Sequence, residues 1–100
     1  MLHTVNKSPF EKNSLDTCLR LSTAGSHILL IEDGVYGALT GTSMEARVRA
    51  GMKERKFYAL DADLKARGID PSEMIDGIEA VGYDRFVELA THCDKVQSWF

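Results

Sequence analysis

One hundred residues and 11.1 kDa make room for a single domain spanning 1–100, with a core just large enough to stand alone. Hydrophobic residues at 44% and charged residues at 27% exclude intrinsic disorder, and a formal net charge of −3 without a Lys/Arg stripe argues against direct nucleic-acid binding. The longest apolar run, Ile28-Leu29-Leu30-Ile31, is far short of the about 20 residues a membrane-crossing helix needs, and no basic segment followed by an apolar stretch opens the chain, so a cytoplasmic protein with no membrane contact is expected.

Met1 to Val5 is a short β-prone start, and Asn6-Lys7-Ser8-Pro9 reads as a loop because Pro9 pushes Ser8 out of the helical region. A helix then runs from Leu15 to about Ala24, capped by Ser14 or Asn13, with Leu15, Cys18 and Leu19 on one stripe and Gly25 as the stop. His27 to Ile31 is nearly all apolar, as a strand covered on both faces should be, and Glu32-Asp33-Gly34 ends it. In that turn Gly34 is expected to supply unusual backbone angles. Val35 to Leu39 is one helical turn. Thr42 with Glu45 gives a capping-box pattern before a helix through Met44, Val48 and Met52. Lys56 to Leu60 is a strand, Asp61 to Arg67 a short helix closed by Gly68, and Ile69 to Asp76 a polar connection. Ile78 to Val81 is a strand, Tyr83 to Cys93 a helix, and Lys95 to Phe100 a last strand.

Strands alternating with helices predict an α/β domain: a mainly parallel sheet of four to five strands flanked by helices on both faces. Functional groups then belong beyond the carboxyl ends of the strands, in the loops Asn6 to Asn13, Glu32 to Thr42 and Asp61 to Asp63. The small helix after Leu60 cannot cover much of a sheet face, which predicts apolar surface that meets another subunit.

Cys18 and Cys93 are 75 positions apart, form no CxxC or zinc pattern, and are expected as free thiols. Cys18, one turn into the first helix, is the chemical candidate; its alternative is a small apolar residue on the Leu15–Leu19 stripe. Cys93 sits at a helix end beside Asp94, which disfavours a thiolate. His3, His27, His92 and Cys93 have no metal-ligand spacing, so no metal is expected. The Glu32–Gly37 turn lacks GxGxxG and the Walker lysine, and its carboxylates would repel phosphate, so no cofactor is expected either. Tyr36 at its tip is a candidate interface anchor. The run Arg47, Arg49, Lys53, Arg55, Lys56, interleaved with Glu45 and Glu54, reads first as a solvated helix face and second as a dock for an acidic partner.

The opening Met1-Leu2-His3-Thr4-Val5-Asn6-Lys7-Ser8-Pro9-Phe10 closely resembles that of the DsrH/TusB family, as do Leu29 to Tyr36, Tyr58-Ala59-Leu60, Asp63 to Gly68, and the terminal Val96 to Trp99. The resemblance implies a small Rossmann-like subunit that joins DsrE/TusD-like and DsrF/TusC-like paralogues in a hexamer with two copies of each. Such a complex relays persulfide sulfur to a DsrC/TusE-like acceptor, with the principal persulfide cysteine on the DsrE/TusD-like subunit. The Dsr branch serves oxidation of stored sulfur; the Tus branch serves 2-thiouridine synthesis at the tRNA wobble position. A cysteine in the first helix is a DsrH trait, so Cys18 points to DsrH and to an auxiliary persulfide site. In a purely assembling subunit Cys18 merely packs, and the partner surface is expected near Tyr36, Phe57, Tyr58 and Trp99.

Overall fold

The computed structural model describes residues 1–100. Three apolar segments form its centre: β1 (Leu2–Val5), β2 (His27–Leu30) and β3 (Lys56–Leu60). Eleven of their thirteen residues are buried, leaving His27 half-covered and Lys56 at the rim, which is the signature of strands covered on both faces. The outer strands β4 (Glu79–Val81) and β5 (Val96–Trp99) are short and mostly exposed. All five are parallel, in the order β4-β3-β2-β1-β5. Leu2 lies opposite both His27 and Val96, and Leu29 opposite Tyr58.

The helices are α1 (Ser14–Leu21), α2 (Glu45–Gly51), α3 (Asp61–Ala66) and α4 (Tyr83–His92). From β1 to β4 the chain steps in one direction across the sheet, so right-handed crossovers put α1, α2 and α3 on one face. The connection from β4 to β5 returns across the whole sheet, and α4 therefore covers the opposite face alone. The two cores follow this division. Val5, Ile28, Leu30, Phe57 and Ala59 point into a 16-residue cluster with Leu15, Cys18, Val48 and Leu64. Leu2, Leu29, Tyr58 and Val81 form a cluster of 5 with Leu89 of α4, edged by the partly buried Phe86 and Ala90.

Four local expectations need correction. The segment 69–76 is no polar connection: Ile69, Met74 and Ile75 are buried in the larger core, joined by Ile78 just before β4. It is tied down where the Thr40 and Ile75 N–H groups donate to the Glu73 and Ala38 carbonyls at 2.9 and 2.7 Å. This strap completes the face that α3 is too short to cover, so the thinly covered face is the α4 side. Helix α1 ends three residues early because Arg55 clamps its exit, donating to Ser22 Oγ at 2.7 Å and the Ser22 carbonyl at 2.6 Å. Helix α2 begins at Glu45, whose carboxylate accepts from the Gly41 N–H at 2.6 Å while Thr42 Oγ1 accepts from the Met44 N–H. The predicted capping pair thus holds the loop before the helix.

The fourth correction concerns the turn after β2, a 3₁₀ helix over Glu32–Ala38. The left-handed residue there is Glu32, at φ 49°, and not Gly34. Gly34 is required for proximity: a Cβ would stand 2.0 Å from the Val5 carbonyl oxygen at the end of β1.

Candidate functional site

The loops named from the sequence do converge at the carboxyl edge of the sheet. The Glu32 N–H donates to Asp63 Oδ2 at 2.7 Å, joining the exits of β2 and β3. Arg67 reaches back from beyond α3 to Asp33, 2.9 Å from Nε and 2.8 Å from Nη2, and donates to the Asp63 carbonyl at 3.2 Å. This network holds Glu32 in its strained conformation. Its carboxylates outnumber its cations, so this rim repels phosphate. No group of three or more His, Cys, Asp or Glu side chains converges as a metal site.

Beside it, the reversal of strand order between β1 and β5 opens the position where sheets of this kind receive ligands and partners. The Asn6 N–H donates to the Trp99 carbonyl at 3.4 Å, while Asn6 Oδ1 is buried without a partner. Trp99 Nε1 donates to His3 Nδ1 at 3.0 Å. An indole can only donate, so His3 is the neutral tautomer with its proton on Nε2, which is buried and unpaired. Burial, assisted by the N-terminal ammonium and Arg55, holds the His3 pKa below the usual imidazole value. On the opposite face His27 Nδ1 lies 2.9 Å from the Tyr58 hydroxyl, with the rings stacked at 5.8 Å. Burial is again the main cause of a lowered His27 pKa and a raised Tyr58 pKa.

Cys18 is fully buried, packed in the larger core. Burial pushes its thiol up to about 12, with Arg55 only partly opposing. At neutral pH the sulfur is a protonated thiol without solvent contact. Cys93, at the end of α4, is half-buried, and the two cysteines are not paired. Of the interface candidates, Phe57 and Tyr58 are both 1% exposed and present no surface to a neighbour, because alternate residues of a twice-covered strand both point into a core. Tyr36 and Trp99 keep partial exposure while packing against the larger cluster.

The exposed apolar surface lies elsewhere. Tyr83 and Val87, one turn apart on α4, are 61% and 64% exposed, and Phe100 is 79% exposed. Val96 on β5, in register with Leu2, faces the same side of the sheet. The width of the apolar face of α4 carries a sequence signal for this surface, since one helix face cannot bury both Leu89 and Val87. No helix is long and apolar enough to cross a membrane.

Fold and edge together define a small, all-parallel, Rossmann-like α/β protein whose chemistry-bearing loops gather at one rim. A family model described as "DsrH like protein" matches residues 7–96. A protein called Protein TusB from Erwinia tasmaniensis is 38% identical over 100 residues, covering 99% of this chain and 100% of that protein. Another Protein TusB, from Serratia proteamaculans, is 37% identical over 100 residues with the same coverage. The crystal structure of the ychN protein from E. coli superposes with a TM-score of 0.83 at 20% identity, covering 97% of each chain, a likeness of fold. The chain belongs to the DsrH-like family. Its relatives carry the TusB name, which favours the TusB branch over the DsrH branch to which Cys18 pointed.

Proposed function

We propose that this chain is a TusB-type subunit of a sulfur-relay complex, serving assembly while the persulfide travels on a sister subunit. The observation that carries this reading is the sealed position of Cys18. A sulfur carrier needs an accessible thiolate, and this thiol is buried with its pKa pushed up to about 12. Similarity over the full length of proteins named TusB supports this branch. The partners are then TusC-like and TusD-like paralogues, two copies of each subunit per complex, with a TusE-like protein as acceptor. The product is the 2-thiouridine of the tRNA wobble position. The uncovered strip Tyr83, Val87, Val96 and Phe100 serves as subunit contact.

Two measurements test the reading. Deleting the gene is expected to abolish wobble 2-thiouridine in hydrolysed tRNA; normal thiolation overturns the TusB assignment. Loading the intact complex from a persulfide donor is expected to leave the Cys18 peptide unmodified by mass spectrometry; added sulfur there overturns the assembly role. The presence of a first-helix cysteine favours a second reading, a DsrH-type subunit in the oxidation of stored sulfur. It predicts intact wobble thiolation and impaired sulfur oxidation in the same deletion.

A further inference from the structure

A groove of 290 Å³ runs between α1 and α2, lined by Asp16, Leu19, Arg20, Arg47, Ala50, Gly51 and Arg55. The helices approach closely here: a Cβ on Gly51 would stand 2.8 Å from Leu19 Cδ2. Three guanidinium groups therefore surround one carboxylate. Arg47 donates to Asp16 across the groove at 2.6 Å. Arg55 uses Nε and one Nη2 proton on Ser22 and has no carboxylate partner. Arg20 makes no ion pair and no side-chain hydrogen bond within the chain. Elsewhere this protein pairs its arginines with acids, as Arg49 with Glu45 and Arg67 with Asp33. Two unmatched guanidinium groups in one groove of a chain with net charge −3 are a local inversion of its surface charge.

The chemistry of the groove selects its occupant. The floor of Leu19, Ala50 and Gly51 is small and apolar. The floor residues Leu19, Ala50 and Gly51 lie in the last turns of α1 and α2, where helix dipoles are negative, so a compact oxyanion is not favoured on the floor. No aromatic side chain lines it to stack a base. Carboxylates on flexible stems reach the guanidinium rim from above, while small apolar side chains between them meet the floor. We propose that the α1–α2 groove is a docking site for an extended acidic segment of a partner protein, gripped by Arg20, Arg47 and Arg55. The site stands apart from the sulfur-relay reading and survives its failure.

The test measures fluorescence anisotropy of a fluorescein-labelled peptide of alternating glutamate and alanine, titrated with the full-length chain. Saturable binding is expected at low ionic strength, weakening in about 0.15 M salt. Arg20→Gln and Arg47→Gln are each expected to weaken it about fivefold, whereas Lys65→Gln, on the exposed side of α3, leaves it unchanged. Both arginines are exposed, and unaltered thermal melts establish that the variants fold. Non-saturable binding, or equal losses with Lys65→Gln, overturns the proposal in favour of diffuse charge. Displacement by sulfate but not by chloride of matched ionic strength overturns it in favour of a small oxyanion. Tighter, Arg20-dependent binding of a single-stranded RNA of the same length overturns it in favour of nucleic acid.

Discussion

Cys18 and His3 are both reactive residue types that the fold has disarmed by burial. A thiol with a pKa of about 12 is ionised at pH 7 only to the order of one part in 10⁵. Under native conditions iodoacetamide is therefore expected to modify the half-buried Cys93 and to reach Cys18 only through transient opening, so that Cys18 labelling tracks added urea. Cys18→Ser, which places a hydroxyl in this apolar cluster, is expected to lower stability by about 1–3 kcal/mol in urea titration. His3 gives a pH dependence of definite sign. Its folded pKa lies below the free value of about 6.5, so the unfolded chain binds the proton more readily. Stability from this residue is complete above about pH 6.5 and declines as pH falls through that value towards the lowered native pKa. The urea midpoint should accordingly drop between about pH 7.5 and 5.5. Replacing His3 by Leu should remove much of that slope, with His27, shifted in the same direction, supplying the remainder.

Among elements, the crossing of the 3₁₀ helix over the end of β1 is the least forgiving contact. Gly34→Ala sets a methyl against the Val5 carbonyl, and nothing there can move aside except backbone. The expected loss is about 3 kcal/mol or more by urea titration, against roughly 1 kcal/mol or less for an ordinary surface alanine. Helix α4 behaves differently. Asp at both Tyr83 and Val87 should leave the isolated chain's melting temperature nearly unchanged, since both side chains are already in water. The same double variant should fail to co-purify with the TusC-like and TusD-like subunits; intact co-purification removes α4 from the contact surface. The elements also show what a linear reading captures. Lys56–Leu60 is legible to the residue because the four-residue apolar run Phe57–Leu60, with two aromatics, is bounded by Lys56 and Asp61 and is too short for a helix. Segment 69–78 is not, because Met74, Ile75 and Ile78 carry a helical spacing in a stretch that forms no helix beyond Glu73; they are fixed by the bridge between Leu39 and Met74. The convergence of Asp33, Asp63 and Arg67 at one rim follows from strand order. Arg67 as its linchpin, and the coupling of His3 to Trp99, have no local pattern.

At the scale of the molecule, the legible part is the alternation that produces a parallel sheet, and the hidden part is how unequally its faces are dressed. One face has three helices and a strap; the other has α4 and a strip of unsheltered apolar side chains. That imbalance follows from the single return of the chain from β4 to β5, which no residue spacing announces.

The same return makes the last strand a neighbour of the first. Thr4 donates to Ser98 across 94 positions of sequence, so nearly the entire polypeptide must be looped before this pairing closes. Until β5 arrives, β1 is an unzipped margin with free amides, an invitation to wrong neighbours. Trp99, the sole tryptophan, rides on that strand and reports its arrival. In stopped-flow refolding its fluorescence should trail the far-ultraviolet dichroism, and simultaneous signals would mean that the sheet shuts in one motion. The lag, where it is seen, times the window in which a newborn molecule is adhesive to its own kind.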